Sequence, residues 1–482
     1  MNDNVGGSHL LFRYLLFAAM PCLFLFASCS LENGNNTPLQ PSVGSPGELG
    51  QPEIYAQAPP IIPQRNDTNY TVSGMRKWYL LPDDLIDSFS VVKLGVSHII
   101  IRLSQVDCWV DGAYAGSFAP NAVVVDLSEH PAGKHVIVLA LPETDTAFFM
   151  DSFFITAPVY VTVSNDWDQP HNSHPFDQNL ISSETLHAEH PELVMTHFAG
   201  PYAFTDPTIP SDRKDWLASW LVRMRDNHGD EIGLHIHPYC SFMSVAGVNC
   251  ITDSSFAYST YNNLDLSGYT IGCNRYSVAE FTRALLAADS IFFARGLGKP
   301  VSFRAGAWTT DLKVMQALEN AAYTVDASGF NRFRGSGLSR YVLYTWLSEN
   351  WPSISDISQP YYPSTSDISV QAFPFFDVLE APDNGILIDY IDSVGMVEVF
   401  ESIWNGDLVG GTKHFSIGYH PDSYHIYETG DRHLSGILNF LDDLLAARDK
   451  GPVIYIRMKD LPTVWKKPEE TSTAILNPMR RR

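Results

Sequence analysis

Two histidines, His235 and His237, stand two apart in the stretch EIGLHIHPYC, Glu231 to Cys240. On an extended chain alternate side chains share a face, so both imidazoles point the same way. Two imidazoles and a carboxylate are an ordinary ligand set for a divalent transition metal that keeps positions open for water and substrate. Carboxylates are at hand in NDWD, Asn165 to Asp168. A second carboxylate beside such an ion takes a proton from water, which is how metal hydrolases make a nucleophile near neutral pH. A histidine from another strand, His420 in GYHPD, protonates a departing amine. Together these are the parts of amide hydrolysis. Singly each has a plainer explanation, since Asp-Trp-Asp after a strand is often a turn and His-x-His on a strand is often a structural pair. The conjunction carries the reading.

These groups need a frame that gathers them. Strand-like pieces, VYVTVSND, ELVMTHFAG, EIGLHIHP, PVSFRAG, YTVDAS, KHFSIGYH and PVIYIRM, alternate with helix-like pieces such as RKDWLASWLVRMRDNH and DLKVMQALENAA. That alternation predicts βα units around a parallel sheet, an α/β barrel-like domain over residues 159–466. In such barrels the chemistry sits where strands end. Asp166 and Asp168 follow VYVTVS, His235 and His237 follow EIGL, Arg304 follows PVSF, Asp326 follows YTV, and His420 follows FSIGY. The acidic pair is either Asn165 with Asp166 or Asp166 with Asp168. Strand alternation puts both carboxylates of the second pair on one side and favours it.

The order of these motifs resembles the polysaccharide deacetylase family, also called the NodB-homology or carbohydrate esterase family 4 domain. The most specific piece is PVSFRAGAWTTDLKVMQALENAAYTVDAS, and the closing GYHPDSY and PVIYIRMKDL are also similar. The resemblance implies a distorted (β/α) barrel of the polysaccharide deacetylase type with fewer than eight strands. It also implies a bound divalent ion, zinc or similar, and removal of acetyl groups from an acetylated glycan. By that resemblance Asp166 is the base and Asp168 the acidic metal ligand, with His235 the first metal histidine. Arg304 orients the base, Asp326 buttresses Arg304, and His420 is the general acid. The family spaces its metal histidines four apart, but position 239 is Tyr, so His237 is the substitute. Ala305-Gly306-Ala307-Trp308 replaces a loop that ordinarily contains proline, which bears on substrate preference.

Ahead of this domain the chain changes character twice. Residues 1–29 read as a secretory signal: Arg13 precedes the apolar run YLLFAAMPCLFLFASC, and FASCS resembles a bacterial lipoprotein box. That resemblance implies a lipidated Cys29 and a place in the bacterial cell envelope, facing periplasm or exterior. Residues 30–69, rich in Pro, Gly, Asn and Gln, read as a flexible tether. Residues 70–158 carry short alternating runs between the turns Asp111-Gly112 and Pro131-Ala132-Gly133, as in a small antiparallel β-sandwich. Their V-D-G turn and P-G-x-H-x-V strand entry resemble bacterial immunoglobulin-like modules. Residues 467–482 form a tail.

A net charge of −23 argues against a nucleic-acid partner. Of six cysteines, Cys22 and Cys29 belong to the signal. Cys240, Cys250 and Cys273 lie in one region where a single disulfide is expected; the sequence leaves the pair open, and one between Cys250 and Cys273 would brace the long insert before the next helix. Two other functions stay in view: hydrolysis of another non-peptide C–N bond, and non-catalytic glycan binding with Trp109, Trp308, Trp346 and Trp351 as stacking platforms.

Overall fold

The computed structural model describes residues 60–61, 66–82, 86–94, 100–142, 144, 146–170, 174–258, 266–335, 338, 342–406, 411–421 and 433–468. The signal with Cys29, most of the tether and residues 469–482 lie outside them.

The first described unit is a pair of sheets. One holds β1 (Tyr70–Ser73), β3 (Ile86–Leu94), β4 (Ile100–Ile101) and β7 (Val123–Asp126). The other runs β2 (Trp78–Leu80), β9 (Ala147–Thr156), β8 (Gly133–Ala140), β5 (Val106–Val110) and β6 (Ala113–Phe118). Alternation sorts the side chains. Val106, Cys108 and Val110 of β5 join Val123, Val125, Ile137, Leu139, Phe153 and Ile155 in the core between the sheets. Trp109 faces the other way, against Val138 and Ala140. The β5–β6 hairpin turns at Asp111 and Gly112, with φ of 51° and 81°, the positive pair that a two-residue turn between twisted strands requires.

The larger unit is a parallel sheet of eight strands among the described residues. Its order is β15 (Leu379–Glu380), β14 (Val325–Asp326), β13 (Ser302–Ala305), β12 (Glu231–Ile236), β11 (Met195–Ala199), β10 (Val159–Asp166) and β16 (Lys413–Tyr419), with β17 (Val453–Tyr455) also on β10. The resemblance implied fewer than eight strands. The excess is short: β14 and β15 have two residues each and β17 three. Helices α1 (His174–Glu189), α3 (Ser211–His228), α5 (Val278–Ala294), α6 (Leu312–Asn320), α8 (Ser393–Ile403) and α9 (Leu434–Asp442) alternate with these strands, as expected of βα units. The remaining helices are α2 (Tyr202–Thr205), α4 (Cys240–Val245), α7 (Val342–Asn350) and α10 (Leu461–Val464). None of the described helices is long and apolar enough to cross a membrane.

Among the described residues no strand lies between β15 and β16, and an irregular stretch spans the gap. Ala381 and Asp383 donate to Asp326 and Gly329 on the β14 side, then Gly385 and Ile388 donate to Ser416 and Gly418 of β16. The Asn384 side chain mimics a strand partner, accepting from Ser416 N–H at 2.8 Å and donating to the His414 carbonyl at 3.0 Å. A Cβ on Gly385 would lie 2.3 Å from the Ser416 carbonyl oxygen, so only glycine allows this approach. The result is a distorted barrel, closed by a segment that is not a strand.

Local signals set the entry of the strands that matter. Helix α3 ends at Gly229 in the left-handed region, φ 76°, and the chain turns directly into β12. Helix α5 opens with a full capping box between Ser277 and Glu280, and Asp311 caps α6 by accepting from Lys313 and Val314 N–H.

Candidate functional site

Strand β12 delivers His235 within the strand and His237 just past its end. Their rings sit 5.0 Å apart on one side, while Ile236 between them joins the core. Both Nε2 atoms converge on one carboxylate oxygen: Asp168 Oδ1 lies 3.1 Å from His235 and 3.4 Å from His237. The ligand atoms of these three residues all lie within 4.8 Å of one another.

The tautomers follow from the neighbours. His235 Nδ1 lies 2.9 Å from the Arg304 carbonyl and His237 Nδ1 lies 3.1 Å from the Tyr269 carbonyl. A carbonyl only accepts, so each Nδ1 carries the hydrogen and each Nε2 presents a lone pair. Two lone pairs then face a carboxylate oxygen, and buried His237 Nε2 has no hydrogen-bond partner. Such a donor set is completed by a cation. The backbone carbonyls behind the imidazoles are the usual outer support of metal-ligating histidines.

His420, at the end of β16, approaches from another side, its Nε2 3.4 Å from Asp168 Oδ1. Its Nδ1 lies 3.2 Å from Asp389 Oδ2, and the same oxygen accepts from its backbone N–H at 3.1 Å. Burial disfavours the charged imidazole, but the Asp168 and Asp389 carboxylates outweigh it and hold His420 well above the ordinary histidine range. Burial likewise acts to raise Asp168, yet the charge of His420 beside it keeps its carboxyl well below the usual range.

Asp166 lies beneath, on the inner face of β10. Arg304 Nη1 donates to Asp166 Oδ1 and to Ser164 Oγ, both at 2.9 Å, and its Nε donates to the Ala327 carbonyl. Phe198 packs against the guanidinium, 4.7 Å from ring centre to Cζ. Strand alternation separates the members of the two candidate acidic pairs. Ser164 and Asp166 face Arg304, whereas Asn165 points into the helix layer, donating to His197 and Tyr419 and accepting from Trp167 Nε1. Asn165 therefore faces away from Arg304 and Asp166.

One expectation is narrowed and one corrected. Asp326 is not within ion-pair distance of Arg304, although its charge acts on the guanidinium; the second carboxylate at the guanidinium is Asp383, 3.8 Å away. Asp326 is instead in register with Glu380 across β14 and β15 and accepts from Ser328 Oγ at 2.6 Å. Asp326 Oδ2 and Glu380 Oε2 have no donor from any other group. Burial and the neighbouring Asp326 raise Glu380 well above the carboxylate range, so this pair retains a proton. The disulfide joins Cys240 to Cys250, not Cys250 to Cys273. Cys273 is a buried free thiol held against the Ile236 carbonyl at 3.1 Å, away from the rim where Cys240 opens α4.

Several residues escaped the sequence reading. The insert after His237 returns to the site through Tyr269, whose ring stacks on His237 at 4.4 Å and whose hydroxyl donates to Asp168 Oδ2 at 3.0 Å. Tyr258 donates to the Tyr269 carbonyl at 3.2 Å. Nothing in the composition of the insert marks these tyrosines. Asp389 was findable: it follows the apolar run Ile386-Leu387-Ile388, the same signal that revealed the other strand ends. Gly306 makes room for His237, since a Cβ there would lie 2.7 Å from the imidazole. Of the proposed stacking tryptophans, Trp109, Trp308 and Trp351 are buried and Trp346 packs against the core, so they form no exposed platform.

No family model matches the chain, and no curated protein matches it. Among solved structures, a Mycobacterium smegmatis protein provisionally assigned as a polysaccharide deacetylase is similar over 64% of this chain and 89% of its own, at 12% identity and a TM-score of 0.38. A protein of Parabacteroides distasonis, provisionally a glycoside hydrolase/deacetylase, is similar over 64% of this chain and 71% of its own, at 12% identity and 0.42. A family 4 acetyl xylan esterase from Clostridium thermocellum, in complex with a cobalt ion, is similar over 64% and 93%, at 13% identity and 0.30. At these values the likeness is one of general chain path, and the chemistry of the site stands on its own side chains.

Proposed function

We propose that this protein is a metal-dependent hydrolase that removes acetyl groups from an N- or O-acetylated carbohydrate outside the cytoplasm. The observation that carries the proposal is the convergence of His235 and His237 Nε2 on Asp168 Oδ1, with each imidazole's other nitrogen committed to a backbone carbonyl. Asp168, His235 and His237 would hold the ion. The chemistry such an ion supplies when bound is Lewis acidity toward a carbonyl and toward water.

The rest belongs to the chain. Asp166, fixed by Arg304, accepts the proton of the attacking water. His420, whose charged form Asp389 favours through Nδ1, donates a proton to the leaving nitrogen or oxygen. Arg304 neutralises Asp166 and Asp383 inside the barrel and fixes the direction of the base. The acetylated glycan is supported by the order of the motifs from NDWD to GYHPD. The envelope location and the lipid anchor are supported by FASCS at Cys29.

The test uses purified full-length chain. Elemental analysis is expected to find a transition metal that falls in His235→Ala and His237→Ala, and acetate release from acetylated chitooligosaccharides or acetylated xylan is expected to vanish in Asp166→Asn. Metal retained undiminished in both histidine variants would sink the ligand set. Release of ammonia from a small amide, with no acetate from either glycan, would replace the substrate class.

A further inference from the structure

The same donor logic recurs far along the sequence from the barrel site, in the β-sandwich. Asp111 sits at the tight β5–β6 turn. Its N–H donates to the Val136 carbonyl and its Oδ1 accepts from Val136 N–H, both at 2.9 Å. This two-point attachment to β8 fixes the carboxylate and turns Oδ2 toward His135.

His135 is buried, with its ring stacked on Phe153 at 5.4 Å. Its Nε2 lies 2.8 Å from the Pro131 carbonyl, so Nε2 carries a hydrogen. Its Nδ1 lies 2.6 Å from Asp111 Oδ2. In the neutral ring that contact sets a lone pair against a carboxylate oxygen, so a positive charge belongs there. A third donor completes the group: His130 Nδ1 lies 3.9 Å from the same Oδ2, its ring edge-on to His135 at 5.4 Å. The ligand atoms of the three all lie within 4.8 Å of one another. Exposure rises outward, from 5% for the His135 side chain to 23% for His130 and 44% for Asp111, so the group is open to an arriving ion.

The geometry points to a second divalent-metal site at Asp111, His130 and His135. An anchored carboxylate, one imidazole oriented by a backbone carbonyl and one rim imidazole suit a borderline transition ion such as zinc, cobalt or nickel. They do not suit calcium or magnesium, which take oxygen ligands. The site is independent of the barrel chemistry and of the hydrolase reading.

The test separates the two sites. Full-length chain carrying His235→Ala and His237→Ala is freed of metal and titrated with cobalt(II), followed by its visible absorption and by calorimetry. Retained binding is expected, and adding His130→Ala is expected to weaken it by about tenfold or more. His130 lies on the rim, so this substitution leaves the fold in place, and His135→Gln serves as a second probe. On the wild-type chain the same titration is expected to show an ion beyond the one lost with His235 and His237. Absence of cobalt uptake in the double variant, or uptake indifferent to His130→Ala, would mean that a proton alone fills the gap between His135 and Asp111 and would overturn the site.

Discussion

Asp389 meets His420 twice through one oxygen, at 3.2 Å from the ring Nδ1 and at 3.1 Å from the backbone N–H. The side chain is thereby turned so that its free nitrogen looks at Asp168. In Asp389→Asn the amide oxygen still accepts one hydrogen bond, but the charge that favours the imidazolium is gone. The expected result is a fall in kcat/KM of about 10²-fold or more with metal content unchanged. Loss of metal in parallel would place Asp389 in the ligand scaffold instead.

Tyr269 reaches the site from the insert and touches two of the residues proposed to hold the ion. Tyr269→Phe keeps the ring on His237 and removes only the hydroxyl that donates to Asp168 Oδ2. Metal affinity is expected to drop about 10–100-fold, read by competition against a chromophoric chelator. An unchanged dissociation constant would show that Asp168 needs no outer support.

Gly306 tests the steric fit of the histidine pair. With Cβ 2.7 Å from the His237 ring, Gly306→Ala forces the imidazole or the 305–308 backbone to move. We expect a stability loss of about 1–3 kcal/mol in urea unfolding, together with reduced metal binding. Wild-type metal content in a destabilised variant would mean that the backbone, not His237, yields.

The buried pair of Asp326 and Glu380 gives a pH signature. Glu380 is raised in the folded state, by burial first and by Asp326 next. Above its unfolded value of about 4.3 the unfolded chain has released a proton that the folded chain keeps. Folded protein then binds more protons than unfolded, so this group makes stability fall as pH rises through that window. Glu380→Gln removes the dependence. Near pH 4 the variant should match the wild type, and toward pH 8 it should be the more stable in urea unfolding. A variant equally destabilised at every pH would show that the pair holds no proton.

Much of this was legible because strand ends declare themselves. VYVTVSND, EIGLHIHP and KHFSIGYH each show an apolar run stopped by a charged or imidazole group, and their residues do converge. The two-residue strand β15 was not legible, because Leu379-Glu380 is too short for a period to appear. Asp326 was tied to Arg304 by the resemblance alone, and its register partner Glu380, on that unseen strand, was out of reach. The disulfide failed on burial, since spacing among Cys240, Cys250 and Cys273 says nothing about which sulfur is shielded. Tyr269 was out of reach because contacts made by a long insert depend on where its backbone returns, which no local pattern encodes.

The irregular stretch between β15 and β16 holds Asp383 against Arg304 and, a few residues on, Asp389 against His420. The seam of the barrel thus sets one carboxylate against the arginine that holds Asp166 and another against His420, while the residues of the candidate metal centre lie in or just past β10 and β12, neither of which borders the seam. On the proposed function, a change confined to the side chains of Asp383 and Asp389 would weaken acid and base together and leave the three residues of the candidate ion site in place, so such a chain would pass from catalyst to carrier in one step.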